Sequence, residues 1–176
     1  MEFEFIKKNY IEDKNIYRIY KYKQIYEIDL FEDGNRNLEN LKLLFENKVH
    51  QLILQVDKSE KLNFEKELKL QNIRYKIYNF NRRNIYFVME CINKSQESYI
   101  IDLFYCESIM NELAILCLGE KLNIEFEKIN VHKISRLFLG ESWVPSIHLD
   151  SLSACAFIQY DGAVLTIAEN DLDIIN

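Results

Sequence analysis

The sequence predicts a single α+β domain over residues 1–176, in which helices pack on one face of a mixed, mainly antiparallel sheet. Several short segments alternate apolar and charged residues with a period of two, which is typical of half-buried strands. Other segments repeat apolar residues every three or four positions, as amphipathic helices do. Because no Pro-, Gly- or Ser-rich linker and no repeat of fixed period interrupts them, we expect one domain.

The first half of the chain contains both kinds of pattern, separated by short polar segments with turn and capping residues. One of its apolar runs is nearly continuous, as in a central strand. In chain order we expect strands at 3–5 and 20–30, a helix at 37–48 capped by Asn35 or Asn37, a central strand at 52–56, a charged helix from a cap at Ser59 to about residue 72, and a hairpin of 74–80 with 85–92.

The next segment has a three-four spacing of apolar residues from Ser95 to Cys117, and Gly119 follows at the position of a helix C-cap. This pattern indicates a long, largely buried helix. Residues 99–105 taken alone would also suit a strand that precedes a shorter helix, so both interpretations stay open.

The end of the chain carries the clearest local signal. Asp161-Gly162, a turn sequence strongly favoured in two-residue hairpin loops, joins the apolar segments 154–160 and 163–168. Before this hairpin, residues 124–127 alternate as in a strand, and residues 131–139 have helical spacing.

The acidic charge of the chain is concentrated at its C-terminal end. The 40 residues after Arg136 contain six acidic and no basic side chains, and this charge of −6 equals the formal net charge of the whole chain. The residues up to Arg136 contain 22 side chains of each sign. Because a surface of one sign attracts the other and repels polyanions, we expect a basic protein partner, no nucleic acid and no membrane.

Candidate metal and nucleophile sites are weak. His148 and Asp150 are the best ligand pair in a chain with three histidines, but a pair alone does not make a site. Gly140 to Val144 begins like a nucleophile elbow around Ser142, but the closing glycine is replaced by Val144.

Other chemistry is no better supported. Glu125 with Glu127, and Asp171 with Asp173, could share a strand face as paired carboxylates, although any solvated strand face would look the same. Four dispersed glycines exclude a phosphate loop. We therefore expect no catalytic residues, no metal and no cofactor, and predict that the chain is not an enzyme.

A basic and aromatic stretch at 17–23 is the feature that would favour nucleic-acid binding. Alternation along it places the tyrosines inward and the lysines outward, which describes an ordinary strand. The other basic residues considered for such a surface are Arg74, Lys76, Arg82 and Arg83.

The four cysteines lie in apolar stretches without metal or disulfide spacing, which indicates reduced thiols. The sequence has no apolar run of transmembrane length, and its start is acidic rather than basic and then apolar. These features predict a cytoplasmic protein.

Together these observations favour an intracellular acidic protein that neutralises a basic partner, most concretely a bacterial immunity protein that inhibits a cognate toxin nuclease. The alternatives are a small hydrolytic enzyme that uses the C-terminal carboxylates, and a phage or regulatory interaction module. The oligomeric state stays open. The predicted partner-binding residues are the tail acids with two aromatic anchors: Glu141, Trp143, Asp150, Tyr160, Asp161, Glu169, Asp171 and Asp173.

Overall fold

The computed structural model describes residues 3–11, 16–110, 113–120, 122–132, 139–159, 162–172 and 174. Within these residues the chain forms three helices and 11 strands. The helices are α1 (Gly34–Leu44), α2 (Lys61–Leu70) and α3 (Lys94–Ile109). The strands are β1 (Ile6–Lys8), β2 (Arg18–Tyr20), β3 (Gln24–Asp29), β4 (Val49–Asp57), β5 (Arg74–Tyr78), β6 (Asn84–Glu90), β7 (Ala114–Gly119), β8 (Ile124–His132), β9 (Leu139–His148), β10 (Ser153–Gln159) and β11 (Val164–Asn170).

The described strands form two sheets. The large sheet has eight strands in the order β1-β3-β11-β10-β7-β4-β6-β5, and all neighbours in it are antiparallel. The small sheet has three strands in the order β2-β9-β8, with β2 parallel and β8 antiparallel to β9. The chain is thus one α+β domain with a mainly antiparallel sheet, as predicted.

Side chains of the central strands alternate between the two faces of the large sheet, as the pleat requires. In β4, Leu52 and Leu54 join the core beneath the helices, whereas Ile53 joins the core beneath the small sheet. In β7, Leu116 and Cys117 divide in the same way. The helices therefore cover one face, as predicted, and the small sheet covers part of the other, which the sequence pattern did not predict.

The predicted strand at 20–30 is two strands in different sheets. Lys21 has a φ of 62°, a left-handed conformation that turns the chain between β2 and β3. At the N-terminus, Phe3 and Phe5 precede β1 rather than forming it, and Phe5 packs edge-on against Tyr26.

The N-caps of the first two helices differ from those predicted. Asp33 caps α1 through hydrogen bonds from the backbone N–H groups of Asn35 and Arg36, while the buried side chain of Asn37 bonds the backbone of Phe31. Ser59 lies before α2 and donates to Asp57 instead of capping the helix.

The predicted helix from Ser95 to Cys117 is wrong in its second part. The helix α3 ends at Ile109, and β7 is an interior strand between β10 and β4. The strand alternative for 99–105 is also wrong, because those residues lie within α3. Gly119 ends β7 with a φ of 82°, where a Cβ would stand 2.1 Å from the carbonyl oxygen of Leu152.

The helix predicted at 131–139 is wrong where the structure describes it, since Val131 and His132 end β8 and Leu139 begins β9. Residues 133–138 lie outside the described residues. The two predicted hairpins are confirmed as the antiparallel pairs β5–β6 and β10–β11.

Candidate functional site

The structure divides the described partner-binding residues between the two ends of β9. Glu141 and Trp143 lie near the start of β9, and Asp150 follows its other end. The stretch of strand from Glu141 to His148 spans roughly 23 Å. Glu169 lies in β11 and Asp171 follows it, near Asp150, because Ser153 pairs with Asn170 and the side-chain amide of Asn170 donates to the carbonyl of Leu149. The remaining predicted residues, Tyr160, Asp161 and Asp173, lie outside the described residues.

The described acids of the tail also differ in how accessible their carboxylates are to a partner. Glu169 is only 3% exposed and accepts a hydrogen bond from the backbone N–H of Ile174, so its carboxylate is not accessible to a partner. Glu141 pairs with Lys128 at 2.6 Å, and Asp171 pairs with Lys23. Asp150 is exposed. Charge counting along the sequence therefore overstates the negative surface of the tail.

A denser group of carboxylates lines a pocket of about 310 Å³ between the end of β4, α2 and the end of α3. We call it the acidic pocket. Its described lining contains no Lys or Arg. Its apolar surface includes Phe64, which is buried, and Met110, which is 71% exposed. Its carboxylates are Asp57, Glu60, Glu67 and Glu107.

Burial and hydrogen bonds shift the pKa values of two groups at the acidic pocket. Tyr99 donates its hydroxyl to Glu67 Oε1 at 2.9 Å. Burial, then this bond, and then the charges of Glu67 and Glu107 raise the pKa of Tyr99 above its ordinary value. Hydrogen bonds from the backbone N–H and hydroxyl of Ser59 lower the pKa of Asp57, which keeps that carboxylate ionised.

A second cavity, of about 520 Å³, lies where the β5–β6 loop meets β8 and β9 of the small sheet. We call it the basic cavity. It carries three cations, from Arg82, Arg83 and Lys128, against the single carboxylate of Glu141. Gln55 lines both cavities. Arg83 also pairs with Asp57 of the acidic pocket at 3.7 Å, so pockets of opposite charge adjoin at the end of β4.

Trp143 forms a wall of the basic cavity together with Phe80. Their rings stack with centroids 4.8 Å apart and planes at 26°. Asn81 holds the backbone of Trp143 from both sides, since its amide donates to the carbonyl at 3.0 Å and accepts from the N–H at 2.9 Å. Tyr86 donates to the same carbonyl at 2.9 Å, and burial raises its pKa to about 12.

The residues considered for catalysis do not assemble. Ser142 lies within β9 rather than on a sharp turn, and its hydroxyl donates to Asn81 at 3.4 Å. The ring of His148 stacks on Tyr20 at 4.7 Å. Glu127 accepts hydrogen bonds from Tyr20 and Ser146, so it belongs to a side-chain network of the small sheet. Within the described ranges no three His, Cys, Asp or Glu side chains are grouped for a metal ion.

The cysteines are all unpaired thiols. Cys117 and Cys155 face each other on β7 and β10, buried, with sulfur atoms 3.9 Å apart. Burial raises the pKa of Cys91 to about 11 and raises that of Cys106 as well. Because the thiolate is the reactive form, these thiols are weak nucleophiles at neutral pH.

No family model, no curated protein and no solved structure matches this chain. Among the helices that the structure describes, none is long and apolar enough to cross a bilayer. The two cavities are therefore the features from which a function can be inferred.

The acidic pocket was missed because its four carboxylates lie in the part of the chain whose charges balance. One local signal was available, since Glu60 and Glu67 are seven residues apart and so share a helix face. Asp57 and Glu107 reach the same place only through the pairing of β4 in the sheet and the packing of α3.

Proposed function

We propose that this chain is a cytoplasmic binding protein that neutralises a basic protein partner, and most concretely an immunity protein that inhibits a cognate toxin nuclease. The observation that carries this proposal is the acidic pocket, a concavity in which four carboxylates surround apolar surface. This site replaces the dispersed C-terminal acids as our first candidate for partner contact.

The acidic pocket suits a protruding Arg or Lys side chain. Such a side chain has an apolar stem and a charged end, so the stem can lie against Phe64 and Met110 while the cation meets the carboxylates. Nucleases that grip phosphates present cationic clefts, and an acidic surface attracts such clefts over several ångströms before contact.

Two matched double variants test the site. Glu60→Gln with Glu67→Gln removes two charges from the acidic pocket, and Asp150→Asn with Asp171→Asn removes two charges from the C-terminal group. The side chain of Glu60 makes no capping hydrogen bond to α2, and the amide introduced by Glu67→Gln keeps an oxygen for Tyr99, so the fold should persist. Both variants have the same net charge.

The probe is a fluorescein-labelled peptide of alternating Arg and Gly, titrated by fluorescence anisotropy at low and at physiological ionic strength. We expect the pocket variant to weaken binding at least about tenfold, or 1.4 kcal/mol, and the C-terminal variant to change it little. A larger loss in the C-terminal variant would restore the tail as the site. Equal losses would show that only net charge matters, which contradicts both assignments.

The immunity role needs a second measurement. We expect the purified chain to inhibit the nuclease activity of the protein encoded by the adjacent gene at equimolar concentration, and the pocket variant to inhibit it poorly. If the adjacent product is not a nuclease and its expression is harmless, the immunity role is wrong, even where the acidic pocket binds the Arg peptide.

A further inference from the structure

The basic cavity contains polar side chains that form no hydrogen bond or ion pair with any described residue. The guanidinium of Arg82 forms no ion pair or hydrogen bond with the described part of the chain, and neither do the half-buried side-chain amides of Gln55 and Asn84. A cation and two amides that line one concavity without protein partners can serve a ligand there.

The charge of the basic cavity selects an anion. Lys128 is balanced by Glu141 at 2.6 Å, and Arg83 is paired more loosely with Asp57 at 3.7 Å. Among the described residues, Arg82 adds an uncompensated positive charge. Adjacent guanidinium groups in one loop can each present two N–H groups to a phosphate, which a single lysine cannot do.

The aromatic wall selects a planar group. Phe80 is 44% exposed even though it stacks on Trp143, so part of a ring surface stays open beside the arginines. The wall is also held in place before any ligand arrives, because Asn81 and Tyr86 bind the backbone of Trp143. A rigid aromatic surface next to a cation suits a stacked base better than an aliphatic ligand.

We propose that the basic cavity binds a mononucleotide, with the phosphate on Arg82 and Arg83, the base against the Phe80–Trp143 wall, and the base edge read by Gln55 and Asn84. Amide side chains match the donor and acceptor pairs on base edges. The cavity volume of about 520 Å³ lies within the range of small-ligand sites. This cavity shares Gln55 with the adjoining acidic pocket, but its other lining residues are its own, and the proposal goes beyond partner binding.

Trp143 is the only tryptophan in the chain, so its fluorescence reports the cavity directly. AMP, GMP, CMP and UMP are titrated separately, excited where nucleotides do not absorb, with the nucleosides and inorganic phosphate in parallel. We expect at least one mononucleotide to shift or quench the emission saturably, and its nucleoside to bind at least about tenfold more weakly because it lacks the phosphate.

Arg82→Gln should weaken the nucleotide at least about tenfold. The matched control Arg74→Gln removes an exposed arginine of β5 outside this cavity and should leave the affinity unchanged. The variant Glu60→Gln with Glu67→Gln should also leave it unchanged, so failure here is distinguishable from failure of the acidic pocket.

Three outcomes would overturn the proposal. The first is a flat titration with all four mononucleotides. The second is inorganic phosphate that binds as tightly as the nucleotide, which would leave the base without a role. The third is a single-stranded oligonucleotide whose affinity keeps rising with length, which would make the cavity part of a nucleic-acid interface rather than a mononucleotide site.

Discussion

The two faces of the large sheet are covered in different ways. On the helix face, three helices bury large apolar side chains such as Phe45, Phe87 and Phe104 completely. On the other face, three strands lie over part of an eight-stranded sheet, and the core there includes the polar or small side chains of Tyr86 and Cys117. The helix face therefore contributes most of the stability, whereas the margins of the small sheet leave side chains accessible to ligands.

The two layers are also attached by different chemistry. The carboxylate of Glu97 on α3 accepts hydrogen bonds from the backbone N–H groups of Asn47, Lys48 and Val49 at 3.1–3.2 Å. The small sheet is held by neutral hydrogen bonds between the backbone of Trp143 and the side chains of Asn81 and Tyr86. Since charged hydrogen bonds are about twice as strong as neutral ones, the helix layer should be the harder one to detach.

The largest expected effect compares one Phe→Ala substitution on each face. Phe87 is fully buried and packs edge-on against Phe64 at 4.8 Å, so Phe87→Ala should lower the free energy of unfolding by about 3–5 kcal/mol. Phe157 packs against Tyr17 at 4.7 Å, close to the three-residue strand β2. Phe157→Ala should cost less, because a thin layer can close over the gap.

Urea unfolding of both variants measures this difference, provided that the slope with denaturant stays unchanged. If Phe157→Ala lowers the free energy of unfolding as much as Phe87→Ala or more, the small sheet packs on the large sheet as rigidly as the helices do.

A smaller effect concerns the attachment of α3. Glu97→Gln should lower the free energy of unfolding by about 1.5–3 kcal/mol, because an amide NH₂ would face backbone donors in place of a carboxylate oxygen. Glu46→Gln is the control, since Glu46 pairs with Lys94 at the surface. Equal unfolding midpoints for the two variants would show that the buried carboxylate of Glu97 stabilises the fold no more than the surface carboxylate of Glu46 does.

The smallest effect concerns the attachment of the small sheet. Tyr86→Phe should cost about 0.5–1.5 kcal/mol at neutral pH, because it removes a neutral hydrogen bond to Trp143. The contribution is also pH-dependent. Burial raises the pKa of Tyr86 from 10.0 to about 12, so the unfolded chain releases this proton first. The contribution of Tyr86 to the free energy of unfolding is therefore complete below pH 10 and is lost as the pH rises through about 12.

Unfolding experiments at neutral and at alkaline pH, on the native chain and on Tyr86→Phe, measure this dependence. Tyr10→Phe is the control because Tyr10 is exposed. If Tyr86→Phe retains the full alkaline loss of stability, the hydroxyl of Tyr86 does not link the two sheets.

The parts of the fold that depend on local pattern were predictable from the sequence. The β5–β6 and β10–β11 hairpins pair segments that are neighbours along the chain. The strand β7 was not predictable in this way, because Ala114 to Leu118 are all buried, and an uninterrupted apolar run does not distinguish a central strand from a buried helix. The small sheet was missed because β2 has three residues and pairs with β9 far along the chain.

The candidate site was predictable only in part. Trp143 was predicted to be an interface anchor, and the structure places it on β9 at the wall of a cavity. The distribution of charge along the sequence predicted a site in the tail, where Glu169 is buried and Asp171 is paired. Charge counts average over positions that the fold separates, so they could not reveal either cavity.

The pairing of β3 with β11 has a consequence for synthesis on the ribosome. Ile28 pairs with Leu165, which is 137 residues further along the chain. At the usual rate of translation, one edge of β3 stays unpaired for roughly 7–27 s, until β11 has been synthesised. An exposed edge of this kind can pair with another nascent chain, and charged side chains such as Glu27 and Asp29 on that strand discourage such pairing. The large sheet is thus completed only after β11 has been synthesised, and high expression rates should favour aggregation over slow closure of the sheet.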